Sequence, residues 1–347
     1  MKVLFVTFPG FHLFEGGIKT QVIALKEELK KIGWEVKIFC EEPIKKEEFK
    51  NYEIIHFFGS GIKTFHLFQI ITNFNNKIIL TPVFYSPHSV IINKIGIGLF
   101  ASFYKYFGFY NEHLILKEMA KRSNLIVCNT LAEKELIRKM FNLKEEKFRI
   151  LPNGVSIDFY NASPELCYEK LGLRDFILYV GHIGYKRKNL LRCLEILKKI
   201  NLPSVVVGKI IKNKYSEKCL SLIKKAKNIH LIDELPYNSE LLKSIYAACD
   251  VFLLPSYYET PGIAALEAGL AGAKILITKY GGTKEYFKDY ALYLNPYSKK
   301  DIERKLALAL KKEKNNLLRE YLRNNYTWDR IALKLVRIYE EFLKANG

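Results

Sequence analysis

Short apolar runs alternate with amphipathic stretches along almost the whole chain, and this alternation constrains the fold more than any other feature. The first half offers apolar runs at Lys2–Thr7, Glu35–Cys40, Glu53–Phe57, Lys77–Phe84, Leu125–Cys128 and Phe148–Leu151. Helical periodicity lies between them at Ile18–Ile32, from Lys63, at His113–Arg122 and at Leu131–Phe141. The second half restarts at Phe176–Val180 and continues through Ser204–Val207, Ile229–Ile232, Val251–Leu254 and Lys274–Thr278, each followed by a helical stretch. Strands buried on both faces read as continuous apolar runs, and a helix must carry the chain back between parallel neighbours. The expected class is therefore α/β, built from βαβ units. Thr130 with Glu133 three residues on is a capping-box pattern that fixes the start of the helix Leu131–Phe141.

At 347 residues the chain divides naturally into two domains. Turn-rich, weakly periodic sequence between LPNGVSIDFY and Arg174 marks the crossover. The expected organisation is a Rossmann-like domain over 1–155, a linker over 156–174, a second Rossmann-like domain over 175–325, and a C-terminal helix over 326–347.

Charge restricts partners. Lys and Arg number 55 against 36 Asp and Glu, a net +19. Much of the excess is lysine spread over helix faces, and no nucleic-acid-binding motif accompanies it, so nucleic acid is not an expected partner. Anionic substrates and an anionic membrane surface fit the charge. The aromatic stretch Ile91–Tyr110, IINKIGIGLFASFYKYFGFY, reads either as a helix buried against the first sheet or as an element resting in the headgroup layer. No eighteen-residue apolar run appears, no secretory leader precedes the first strand, and the six cysteines form no C-x-x-C pair. A cytoplasmic protein, peripheral at most on the inner membrane face, is expected.

The chemistry concentrates in ETPGIAALE, Glu259 to Glu267. It follows the apolar run Val251–Leu254 and leads into a small-residue helix, so both carboxylates are expected at the carboxyl end of a strand, where open α/β sheets bind ligands. Carboxylates there accept paired hydrogen bonds from vicinal hydroxyls. Two further stretches suit an anion. Gly16-Gly17 stands between the first strand and its helix, and YVGHIGYKRKNLL places Gly181, His182, Lys186, Arg187 and Lys188 before another helix. Neither is a P-loop or a G-x-G-x-x-G fingerprint.

Taken together, YYETPGIAALEAGLAGAKILIT, the downstream GGTKEYF, the PNGV-x-x-D-x-Y phrase at Pro152–Tyr160 and the R-K-N phrase resemble the large family of retaining GT-B glycosyltransferases that carry an E-x7-E element. The resemblance is tightest from Asn153 to Trp328. It implies two Rossmann-like domains facing across a cleft, with acceptor held by the first and nucleotide sugar by the second. The implied reaction is retaining transfer of a hexosyl-type sugar from a UDP-, GDP- or ADP-sugar to a hydroxyl of a glycan or lipid-linked acceptor. The resemblance gives Glu259 the donor sugar, Glu267 the ribose, Lys188 with Arg187 or Lys186 the diphosphate, and Thr260, Pro261, Gly262 and Ile263 the phosphates at the helix start. Gly16, Gly17 and Gly181 would allow close approach of the donor, and His88 in PVFYSPHS would touch donor sugar or acceptor. One departure stands out, because His182 occupies the family's arginine position. No D-x-D motif occurs, so no metal cofactor is expected. Rival readings are a nucleotide-sugar epimerase on the same fold, and a non-catalytic basic protein that rests on membranes or nucleic acid.

Overall fold

The computed structural model describes all residues except 14–15, 40–44, 76, 87–89, 95–110, 238 and 347. The chain forms two compact units, residues 1–154 with 328–347, and residues 155–327.

In unit 1 the strands are β1 (Lys2–Val6), β2 (Glu35–Phe39), β3 (Ile54–Phe58), β4 (Ile78–Thr81), β5 (Leu125–Cys128) and β6 (Phe148–Ile150), alternating with helices α1 (Gly17–Lys31), α2 (Ile62–Ile71), α3 (Glu112–Arg122) and α4 (Leu131–Phe141). Among the described residues these strands make one six-stranded parallel sheet, β2-β1-β3-β4-β5-β6. β3, β4 and β5 are buried along their whole length, which explains their predominantly apolar sequence.

β4 stops earlier than its apolar run predicts. Pro82 has no N–H to give a ladder, and Val83 turns into the left-handed region at φ 52°. The capping box at α4 also differs from expectation. Thr130 Oγ1 accepts from Glu133 N–H at 3.0 Å, but the Glu133 carboxylate turns to the N–H groups of Asn129 (2.8 Å) and Phe84 (2.6 Å). Glu133 thus ties the helix start to the loop after β4.

Unit 2 repeats the plan with β7 (Phe176–Val180), β8 (Ser204–Val207), β9 (Ile229–Ile232), β10 (Cys249–Leu254), β11 (Lys274–Thr278) and β12 (Leu292–Leu294). Its helices are α5 (Glu165–Leu171), α6 (Leu190–Leu197), α7 (Lys214–Lys225), α8 (Glu240–Ala248), α9 (Ile263–Leu270), α10 (Thr283–Phe287), α11 (Lys299–Lys311) and α12 (Leu317–Tyr326). Among the described residues the sheet is parallel and six-stranded, β12-β11-β10-β7-β8-β9. That order reverses between β7 and β10, a Rossmann-type switch point at which neighbouring crossovers diverge and leave a crevice. Residues 156–174, read from sequence as a linker, lie within unit 2, where α5 packs on α8.

The final helix, α13 (Trp328–Asn346), belongs to unit 1 and packs on α1. Its Tyr339 is buried against His56 of β3, phenol oxygen to Nδ1 at 2.5 Å, while Nε2 meets Thr81 Oγ1 at 2.8 Å. Burial holds the His56 imidazole neutral, lowering its pKa to about 3. Both ring nitrogens are satisfied, as a core histidine requires. Among the described residues no helix is long and apolar enough to cross a membrane. The described cysteines, 128, 167, 193, 219 and 249, are all free and buried. Most of the aromatic stretch Ile91–Tyr110 lies outside the described residues.

Candidate active site

The switch point of unit 2 carries a compact charged cluster. From the loop after β7, Lys188 Nζ reaches Glu259 Oε1, in the loop after β10, at 2.7 Å. Arg187 approaches the same oxygen at 3.4 Å, donates to the Tyr258 carbonyl at 2.8 Å and lies over the Tyr258 ring. Glu259 is 5 % exposed. Burial alone would raise its pKa, but the charges of Lys188 and Arg187 outweigh that and hold it below the ordinary value. Lys188 is pulled down by burial and by Arg187, against the opposing pull of Glu259.

The backbone around the cluster is fixed from several directions. Tyr257 N–H donates to the Arg187 carbonyl at 2.9 Å. Asn189, buried and left-handed at φ 56°, donates both amide hydrogens, to the carbonyls of Pro255 (3.0 Å) and Pro296 (3.1 Å). One side chain therefore staples the β7, β10 and β12 loops together. Behind Glu259, an isolated bridge pairs it with Gly281, and Gly282 N–H donates to the Glu259 carbonyl at 2.9 Å. Gly281 sits at φ 92°, and a Cβ there would lie 2.0 Å from that carbonyl oxygen. Gly281→Ala is therefore expected to destabilise unit 2 by about 3 kcal/mol, read as a lowered midpoint in urea. An unchanged midpoint would show that this strand-end contact does not fix Glu259.

Next to Glu259, Gly262 is left-handed at φ 80° and forms the N-cap of α9 without a side-chain cap. Ala265 N–H already donates to the Gly262 carbonyl at 2.8 Å, which leaves the Ile263 and Ala264 N–H groups of the first turn to meet an anion. Thr260 is half-buried and Pro261 buried in the same turn, and Ile263 opens the helix.

Glu267 lies one helical face further on, 4 % exposed, and its Oε2 accepts from the Tyr246 hydroxyl at 2.7 Å. Burial raises its pKa to about 7, against the opposing effect of hydrogen bonds from Tyr246 and Tyr237. The second carboxylate of the motif is thus a group poised near neutrality, not a simple anion like Glu259.

The structure therefore brings Lys188, Arg187, Glu259 and the Gly262–Ile263 turn together at one place. Gly181 follows β7, and half-buried His182 packs against the Tyr185 ring. Lys186 is exposed and makes no ion pair among the described residues. Gly16 and Gly17 lie in unit 1 at the start of α1, where Gly16 adopts φ 155° with open space around its Cα. His88 lies outside the described residues. Sequence pattern does not single out Asn189, Tyr246 or Tyr237. Only the asparagine gives a local signal, standing just before a helix.

Both halves of the chain match known protein families. Residues 169–328 match the family described as Glycosyl transferases group 1, and residues 15–159 match Glycosyltransferase Family 4. An uncharacterized glycosyltransferase of Methanocaldococcus jannaschii is 27% identical over 315 residues, covering 84% of this chain and 74% of that protein. The lipopolysaccharide glucosyltransferase WaaG of Escherichia coli is 28% identical over 212 residues, covering 56% of this chain and 54% of its own. Among solved structures, sucrose-phosphate synthase from Thermosynechococcus elongatus superimposes with a TM-score of 0.77 at 17% identity, over 99% of both chains. Anabaena HepE in complex with UDP and glucose does so at 0.73 and 15%, over 98% of this chain and 100% of that one. With two parallel sheets of this order, a carboxylate–lysine cluster at the second switch point, and both halves matched separately, the chain belongs to the group 1 glycosyltransferases and has the GT-B fold.

Proposed function

We propose that the chain transfers a hexosyl-type sugar, with retention of configuration, from a nucleoside-diphosphate sugar to a hydroxyl of a glycan or lipid-linked acceptor. The observation that carries this reading is the Lys188–Glu259–Arg187 cluster beside the uncapped start of α9. Breaking a glycosyl–phosphate bond builds negative charge on the departing diphosphate, and preorganised cations and amide dipoles are the main means of lowering that barrier. Lys188 and Arg187 supply the cations, and the Ile263 and Ala264 N–H groups at the start of α9 supply the dipoles. Glu259, held as an anion, accepts hydrogen bonds from sugar hydroxyls and fixes the anomeric carbon over the leaving group. Glu267 takes the ribose hydroxyls in its ionised form. The acceptor hydroxyl attacks from the face the diphosphate leaves, and its proton passes to a phosphate oxygen. His182 contributes less charge than an arginine would, so Arg187 carries the second cation.

Such a cation set makes a metal unnecessary, and turnover is expected to survive EDTA. The direct test is thermal: UDP, GDP and ADP are titrated separately against the full chain. The cognate nucleotide at 100 times its Kd should add about 2.7 kcal/mol of stability. No shift with any of the three at millimolar concentration would refute the donor assignment. Anomeric NMR couplings of the product decide retention against inversion.

A further inference from the structure

Tyr179 in β7 is fully buried, yet its hydroxyl has no hydrogen-bond partner among the described residues. A buried hydroxyl left unpaired costs stability that phenylalanine at the same place would not, so the oxygen calls for an explanation. The groups that face it are Cys193 from α6, Tyr215 and Cys219 from α7, and Glu259 from the loop after β10. None of them accepts from it. The Tyr215 hydroxyl is engaged elsewhere, accepting from the Leu191 N–H at 3.0 Å in the first turn of α6.

The direction of the phenol is set by the chain two residues on. Gly181 N–H still bonds the Val207 carbonyl of β8 at 3.0 Å, so strand geometry carries on to 181 and the two positions share a face. A Cβ on Gly181 would stand 3.3 Å from the Tyr179 oxygen. The phenol therefore runs along β7 toward its carboxyl end and stops under the place that glycine leaves open. The end of β8 puts no side chain there either, because a Cβ on Gly208 would lie 2.1 Å from the Gly181 carbonyl oxygen. This end of β7 is one side of the switch point at which Lys188, Arg187 and Glu259 meet. Burial, with smaller contributions from the facing groups, pushes the phenol well above the ordinary tyrosine value. At neutral pH it is a proton donor, not an anion that would repel a phosphate.

We propose that the Tyr179 hydroxyl donates, through the gap that Gly181 leaves, to a phosphate oxygen of the bound nucleoside diphosphate. The assignment rests on the sugar-transfer reading above and adds a neutral hydrogen bond to the two cations on the departing charge. A hydroxyl bonded to an anionic oxygen is among the stronger hydrogen bonds, and it tightens as charge gathers on the leaving group. The cost of the unpaired oxygen falls on the free chain and is relieved when the donor binds.

The test is Tyr179→Phe in the full chain, with two readouts that a structural role and a binding role move differently. Thermal unfolding of the free variant should show a midpoint equal to or above that of the wild type, since the ring stays and only an unpaired oxygen leaves. Calorimetric titration uses whichever of UDP, GDP and ADP binds the wild type, beside its own nucleoside. The diphosphate should bind the variant about tenfold more weakly, and the nucleoside equally well. A lowered midpoint of the free variant would show that the fold already uses the hydroxyl. Unchanged diphosphate affinity, or equal weakening of the nucleoside, would show that the phosphates do not use it. Each of these overturns the inference while nucleotide binding by the wild type leaves the transfer reading standing. A wild type that binds none of the three nucleotides removes the transfer reading, and the role of Tyr179 with it.

Discussion

Lys188→Ala is expected to lower kcat for sugar transfer by about 10²–10³-fold, the usual cost of removing one preorganised group aimed at developing charge. Glu259→Ala should do comparable damage through lost orientation of the sugar, with a larger effect on stability. It strands the Lys188 ammonium, whose side chain is 16% exposed, without its 2.7 Å partner. Breaking one side of a buried ion pair costs about 3–5 kcal/mol, roughly a 10 °C fall in melting temperature for a unit of this size. The two properties separate in the double variant Lys188→Met, Glu259→Gln. Removing both charges leaves neither stranded, so stability should recover most of the loss while transfer stays abolished. A double variant that regains activity with its stability would show that the pair serves the fold and that catalysis lies elsewhere.

The second large effect is in pH. Glu267 has its pKa raised from 4.5 to about 7 by burial, so the folded state holds that proton more tightly than the unfolded chain. Its contribution to stability is complete below pH 4.5 and is lost as pH rises to about 7, a change of roughly 3 kcal/mol. His56 works in the opposite sense. Its pKa is lowered from 6.5 to about 3, so the unfolded chain takes up a proton that the folded state refuses, and stability falls as pH drops through that interval by about 1.4 kcal/mol per unit. Because Glu267 lies in unit 2 and His56 in unit 1, the units should part company. Unit 1 weakens toward acid, and unit 2 weakens toward neutrality. Hydrogen exchange followed peptide by peptide between about pH 4.5 and 8 reads the two slopes separately. Glu267→Gln should flatten the slope of unit 2 alone. If Glu267 accepts from ribose hydroxyls as an anion, nucleotide affinity should rise through about pH 7 while the stability of unit 2 falls. Parallel slopes in the two units would contradict that division.

Much of the fold is legible because parallel strands leave a strong trace. Ile54–Phe58 and Val251–Leu254 are buried on both faces, and runs so rich in apolar residues are hard to place anywhere but inside a covered sheet. The site is legible for the same reason. Lys188 and Glu259 are 71 residues apart, but both follow strands that the topology sets side by side, and ligands collect at the carboxyl ends of such strands. β12 is not legible, because three residues carry no period. The environment of Glu267 is hidden too, since the tyrosine that contacts it comes from α8 and local sequence says nothing of that meeting. Val83 is the least visible. Pro82 signals a turn, but β-branched Val83 gives no sign of a left-handed backbone, and Glu133, whose carboxylate takes the N–H of the next residue, reads from sequence as a helix cap alone.

α13 makes unit 1 discontinuous along the chain, with all of unit 2 inserted between its two segments. Synthesis from the amino terminus therefore releases a first sheet that lacks its last helix, with His56 still missing the tyrosine that will cover it. The unit made second is whole before the unit made first, reversing the usual order in which domains mature on the ribosome. The α1 surface that α13 covers must meanwhile wait, and a released chain ending before Trp328 should be a better client for holding chaperones than one extending through Asn346.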